Sequence, residues 1–73
     1  MQNDTVYKIH VRGMLDEKWA AFFAPFALTY EEDDTMLTGV IHDQAELLGI
    51  LIKIRDSGLS LVSLAPLTPP SEN

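Results

Sequence analysis

Two histidines and one short acidic run are the residues of this chain best suited to chemistry. His42 is followed directly by Asp43, a pairing that could serve as a general base and its orienting acid. Adjacent residues rarely face each other, however, and Asp43 reads better as a helix N-cap. Neither His42 nor His10 sits in an HExxH motif or at any ligand spacing. Glu31-Glu32-Asp33-Asp34 could bind a hard cation. It lacks the alternate oxygen ligands, the Gly and the distal Glu of an EF-hand loop, and reads as a solvated turn. Ser57, Ser60 and Ser63 have no neighbouring base and no nucleophile elbow. Gly13, Gly39, Gly49 and Gly58 stand alone, so there is no loop to cradle a phosphate. The chain has no cysteine, which excludes disulfides and thiolate chemistry and disfavours a zinc site. The expectation is therefore no catalytic residue, no metal and no cofactor.

Two groupings point to binding instead. Lys8, His10 and Arg12 alternate with Tyr7, Ile9 and Val11. On a strand the two sets fall on opposite faces. If the apolar set turns inward, the basic set makes a stripe on the outer face that a carboxylate-bearing partner could use. The same residues also read as a solvated face neutralised by Glu31. The second grouping is Leu48 and Ile52. They belong to a helical apolar arc of roughly 220°, wider than one packing face requires. Trp19, Phe22 and Phe23, at helical spacing, read as core rather than as an aromatic ligand site.

The elements that must position these residues follow from hydropathy period and breakers. Val6 to Arg12 alternates as a strand and ends at Gly13. Leu15 to Ala24 predicts a short helix with Leu15, Trp19, Phe22 and Phe23 on one face, stopped by Pro25. Phe26 to Glu32 predicts a strand, Asp33-Asp34 a turn, and Thr35 to Ile41 a third strand. Asp43, with Glu46 three residues on, forms a capping-box pattern. The helix it opens runs to about Ser57, and Gly58 supplies the C-cap. Gly49 inside this helix predicts a close packing point. Leu59 to Ala65 is an apolar strand closed by Pro66. The order is that of the α+β ferredoxin-like βαββαβ plait: a four-stranded antiparallel sheet, first and third strands central, with both helices on one face. A runner-up arrangement replaces the first helix by an irregular loop.

Length and composition bound what such a fold can do. Seventy-three residues make one domain, with a core over 6–67 and loose termini at 1–5 and 68–73. Eleven acids against five Lys and Arg leave a net charge of −6, which argues against nucleic acid and against anionic membrane surfaces. No apolar run is long enough to span a bilayer. Met1-Gln2-Asn3-Asp4-Thr5 has no signal-peptide character, so the expected location is the cytoplasm. A chain this short buries only about 60% of its unfolded surface, and no disulfide reinforces it. Association with a second subunit is the remaining common remedy.

The runs Leu37-Thr38-Gly39, Asp43-Gln44-Ala45, Leu47-Leu48-Gly49, Leu51, Lys53-Ile54-Arg55-Asp56 and Gly58-Leu59 resemble a family of short stand-alone bacterial proteins. Gly13, Leu15-Asp16, Trp19 and Phe23 are similar to the same family. The match covers about residues 7–65 and implies a bacterial cytosolic protein of uncharacterised activity. In topology the chain also resembles an ACT regulatory domain, which pairs through its sheet and binds amino acids. It departs from the acid and Pro-Gly turn usual there: Arg12-Gly13-Met14-Leu15-Asp16 has no such Pro. The acylphosphatase signature is missing as well.

The sequence therefore predicts a non-enzymatic interaction or regulatory module. It would form a homodimer, or dock on a larger protein, through the open sheet face or the second helix. Lys8, His10, Arg12, Leu48 and Ile52 form the expected surface. The alternative is an ACT-like sensor that binds an acidic metabolite near Arg12 and the first helix N-terminus.

Overall fold

Period-2 alternation sets the first strand, and the chain folds around it. A computed structural model describes residues 4–67. The looseness expected of residues 1–3 and 68–73 lies outside the described residues. Strand β1 is Thr5–Val11, helix α1 Lys18–Phe23, β2 Ala27–Glu31, β3 Asp34–Ile41, α2 Gln44–Asp56 and β4 Leu61–Pro66. The sheet is antiparallel in the order β2-β3-β1-β4, the plait predicted from the element order. Thr5, expected in a loose terminus, pairs with Ile41 at the edge of the ladder.

Ile9 and Val11 of β1 turn inward with Leu37 and Ile41 of β3. Phe23 meets them from α1, and Ile50 and Ile54 from α2. Met36 is buried on the opposite, open face of the sheet, so that face is not wholly polar. Gly39 has its own packing reason. An added Cβ there would come within 2.7 Å of the Phe26 ring, so the ring lies directly over the backbone of β3.

Helix α1 is shorter than predicted. Leu15 is buried but lies outside it, in the β1–α1 loop. The loop is held by a clasp around Thr35, whose side chain is fully buried. Its Oγ1 accepts from the Leu15 N–H at 2.9 Å and donates to the Gly13 carbonyl at 2.7 Å. The Tyr30 hydroxyl donates to the Leu15 carbonyl. The chain then turns through bonds from the Trp19 N–H to the Asp16 carbonyl and from the Ala20 N–H to the Glu17 carbonyl, and α1 begins at Lys18. A six-residue helix offers one stripe, Trp19 and Phe23. Phe22, expected on the core face, is instead exposed. Its ring meets the Trp19 and Phe23 rings edge-on at 5.5 and 4.9 Å between centroids.

Three further details differ from the expectations. The β2–β3 turn is Glu32-Asp33, one residue earlier than predicted, because Glu31 and Asp34 are already paired. Both turn residues have positive φ, 51° and 71°, which matches a type I′ hairpin and the right-handed twist of its strands. Gly49 is not a close packing point, since nothing lies within 4 Å of an added Cβ. Strand β4, read as strongly apolar, is mostly exposed at the sheet edge.

Helix α2 keeps its caps. Asp43 Oδ1 accepts from the Glu46 N–H at 2.9 Å. Glu46 reaches back one residue further than a capping box requires, accepting from the His42 N–H at 2.8 Å. At the other end the Gly58 N–H donates to the Arg55 carbonyl and the Leu59 N–H to the Ile54 carbonyl, a Schellman motif with Gly58 at φ 78°.

Two substitutions test this account by chemical denaturation. Thr35→Val orphans two backbone groups and is expected to cost about 2–3 kcal/mol, whereas Thr35→Ser costs less than about 1 kcal/mol. Gly49→Ala is expected to stabilise the chain by about 0.5–1 kcal/mol, because helix propensity improves where no neighbour is displaced.

Candidate functional site

The basic stripe forms on the open face, but the protein's own acids neutralise it. Lys8 Nζ lies 2.9 Å from Glu31 Oε2, and His10 Nε2 lies 2.8 Å from Asp34 Oδ2. Glu31 reaches Lys8 from β2 across the intervening β3, whereas Asp34 opens β3 and meets His10 from the strand next to β1. Arg12 lies just beyond the strand, exposed, with its N–H donated to the Ser60 carbonyl at 2.9 Å.

Asp34 was read from the sequence only as a turn residue, yet it is a hub. Its Oδ1 accepts from the Gly13 N–H at 2.8 Å while Oδ2 faces His10. The Gly13 N–H, then His10, hold its carboxyl below the usual range. The acidic run thus divides by role. Glu31 and Asp34 pair with bases, and Glu32 and Asp33 make the turn. Among the described residues, no group of three or more His, Cys, Asp or Glu is placed to hold a metal ion.

The loop before α1 was expected to draw an anion through its N–H groups. Most of those donors are already used. Gly13 donates to Asp34, Leu15 to Thr35, Lys18 to Asp16 Oδ1, Trp19 to the Asp16 carbonyl and Ala20 to the Glu17 carbonyl. Asp16 and Glu17 add negative charge beside them. These donors are spent within the chain, where they hold the corner together.

Leu48 and Ile52 behave differently. They are 58% and 45% exposed, while Ile50 and Ile54 of the same helix are buried. At 100° per residue they lie on one flank of α2, with Glu46 and Lys53 on the other. The second flank faces α1. Lys53 Nζ donates to the Phe22 carbonyl at 2.8 Å and sits 4.9 Å from the centre of the Phe22 ring. Between this flank and Phe23 to Phe26 runs an apolar groove of about 360 Å³. Sequence reasoning placed Lys53 only on the polar remainder of the helix. Its bond to α1 depends on a neighbour 31 residues away.

Neither search, of curated proteins or of solved structures, returned a match. A family model described as "Domain of unknown function (DUF8691)" matches residues 6–65. The chain belongs to this family. Residues 6–65 run from β1 almost to the end of β4, so the DUF8691 unit is the plait itself rather than a part of it. No helix among the described residues of this DUF8691 protein is long and apolar enough to cross a membrane.

The start of α2 carries one titrating pair. His42 Nδ1 lies 2.8 Å from Glu46 Oε1. The hydrogen bond and charge of Glu46, with Asp4 further off, raise the His42 pKa above 6.5. The His42 backbone N–H and then its ring lower the Glu46 pKa below 4.5. A raised histidine stabilises the fold fully below its unfolded value and loses that contribution as pH rises through the folded one. A lowered carboxyl stabilises fully above its unfolded value and loses that contribution as pH falls through the folded one. The pair therefore contributes most between about pH 4.5 and 6.5. In an NMR titration, Glu46→Gln is expected to bring the His42 midpoint down toward 6.5. Its melting-temperature deficit against wild type should be larger within that window than at alkaline pH.

Proposed function

We propose that this DUF8691 protein is a non-enzymatic interaction module that self-associates through its second helix. The observation that carries the reading is the exposure of Leu48 and Ile52 on the flank of α2 that faces neither the sheet nor α1. The occupant proposed for that flank is a second copy of the chain. Leu48 and Ile52 stand one helical turn apart, so a copy related by a two-fold axis can bury the same two residues against them. The open sheet face supports association less well, because Lys8 and His10 already have acidic partners within the chain. The buried set supports the reading too. Among the described residues it comprises nine apolar side chains and Thr35, a small core for a chain without disulfides.

A bacterial, cytoplasmic setting belongs to the same reading. Its support is the resemblance of the sequence runs quoted above and the absence of cysteine.

Light scattering coupled to size exclusion tests the reading at low micromolar concentration. A dimer is expected for the wild-type chain. Leu48→Glu should weaken association at least about tenfold, since the lost apolar burial and the added charge together exceed about 1.4 kcal/mol. Circular dichroism should remain unchanged, because the side chain is on the surface. A wild-type chain that stays monomeric at every concentration would overturn the proposal.

A further inference from the structure

We propose that the apolar groove between α1 and α2 is a ligand site for a small monocarboxylate with an apolar body, and that Lys53 meets its carboxylate. The site lies on the α1 side of α2, away from Leu48 and Ile52, and goes beyond the self-association reading. The first support is shape. Glu46, Gly49, Ile50 and Lys53 line one wall, at i, i+3, i+4 and i+7, which is a single stripe of a helix. The chain from Phe23 to Phe26 lines the other. The groove holds about 360 Å³, at the small end of the range for ligand pockets.

The second support is a pair of glycines. At Gly39 an added Cβ would meet the Phe26 ring at 2.7 Å, so the bare backbone of β3 is what seats the ring against the strand. Gly49 stands in the middle of α2, where glycine weakens a helix. No contact explains it, because an added Cβ there meets nothing within 4 Å. Its place on the stripe that lines the groove does explain it: a side chain at this position would project into the open space. The helix gives up propensity where a side chain would fill the groove.

Charge selects the occupant. Lys8 and Arg55 have carboxylates at 2.9 and 3.1 Å. Among the described residues no carboxylate pairs with Lys53. Its ammonium donates to the Phe22 carbonyl at 2.8 Å and lies over the Phe22 ring. A lysine ammonium has further donors to give, and here its charge has no counter-charge. Glu46, at the other end of the same wall, accepts from the His42 N–H and pairs with the His42 ring, so it is answered within the chain. At about 1.5 Å per residue, Glu46 and Lys53 stand about 10 Å apart along α2. An apolar molecule of that length, anionic only at the Lys53 end, fits: its carboxylate meets the ammonium and no second anion faces Glu46. The net charge of −6 and the Glu46 carboxylate disfavour a polyanion.

Octanoate and 4-phenylbutyrate, an alkyl and an aryl carboxylate, are the probes, each compared with its alcohol in amide NMR titrations of the full chain. Saturable shifts are expected at Phe26, Gly49 and Lys53, with the carboxylate at least about tenfold tighter than the alcohol, as a charge-assisted hydrogen bond in an apolar setting requires. Binding of either carboxylate supports the site, and the tighter one identifies the body as linear or aromatic. Gly49→Leu fills the groove without displacing a neighbour, so the fold is kept and carboxylate affinity is expected to fall at least about tenfold. Lys53→Met should remove the preference for carboxylate over alcohol, and Lys53→Arg should keep it. Should Lys53→Met fail to fold through loss of its bond to Phe22, Gly49→Leu and the alcohol comparison decide. The proposal is overturned by the absence of saturable shifts into the millimolar range, by carboxylates that bind no tighter than their alcohols, or by wild-type affinity in Gly49→Leu.

Discussion

The hydroxyl of Thr35 holds the covered side of this fold in place. It lies fully buried between the Gly13 carbonyl and the Leu15 N–H, and so fixes the path of the chain as it leaves β1. Beyond this loop α1 begins at Lys18 and has six residues. A helix that short covers one stripe of the sheet. Most of the roofing falls to α2, which offers Ile50 and Ile54 to the core and has more apolar surface than the core can use. Leu48 and Ile52 point away from both the sheet and α1, so neither covers them.

The charged groups serve mainly the fold. Lys8, His10, Glu31 and Asp34 form two pairs that cross the open face. Asp34 also holds the Gly13 N–H, so one carboxylate joins the hairpin, β1 and the loop before α1. His42 and Glu46 do the same at the entry to α2. Exposed ion pairs of this kind contribute little each. Their effect here is on geometry: they set the corners of a sheet whose core is too small to set them alone.

Much of the site was legible in the sequence where the signal was local. The capping pattern of Asp43 and Glu46 and the terminal Gly58 bracket α2, and the width of its apolar arc left Leu48 and Ile52 outside any single packing face. The possibility that Glu31 neutralises the basic stripe could be read from charge alone. Other features could not. The hub role of Asp34 joins residues 21 and 24 positions apart, and no spacing rule connects them. Phe22 looked like core because the predicted helix was extended back to Leu15, which lies instead in the loop held by Thr35. Gly49 suggested tight packing because glycine is costly in a helix, yet its surroundings are open. For the apolar run of β4, edge or interior is decided by strand order, which depends on crossovers and not on the run itself.

By itself the sequence determined the kinds of element and their order, since period, caps and breakers act within a few residues. Those are short-range preferences that each segment carries into any context. The tertiary structure alone decided which apolar residues stay wet, which acid meets which base, and what holds the loop before α1. Each of those outcomes needs two segments distant in the chain to come within a few ångströms. Only the completed sheet, with β1 placed between β3 and β4, brings them there.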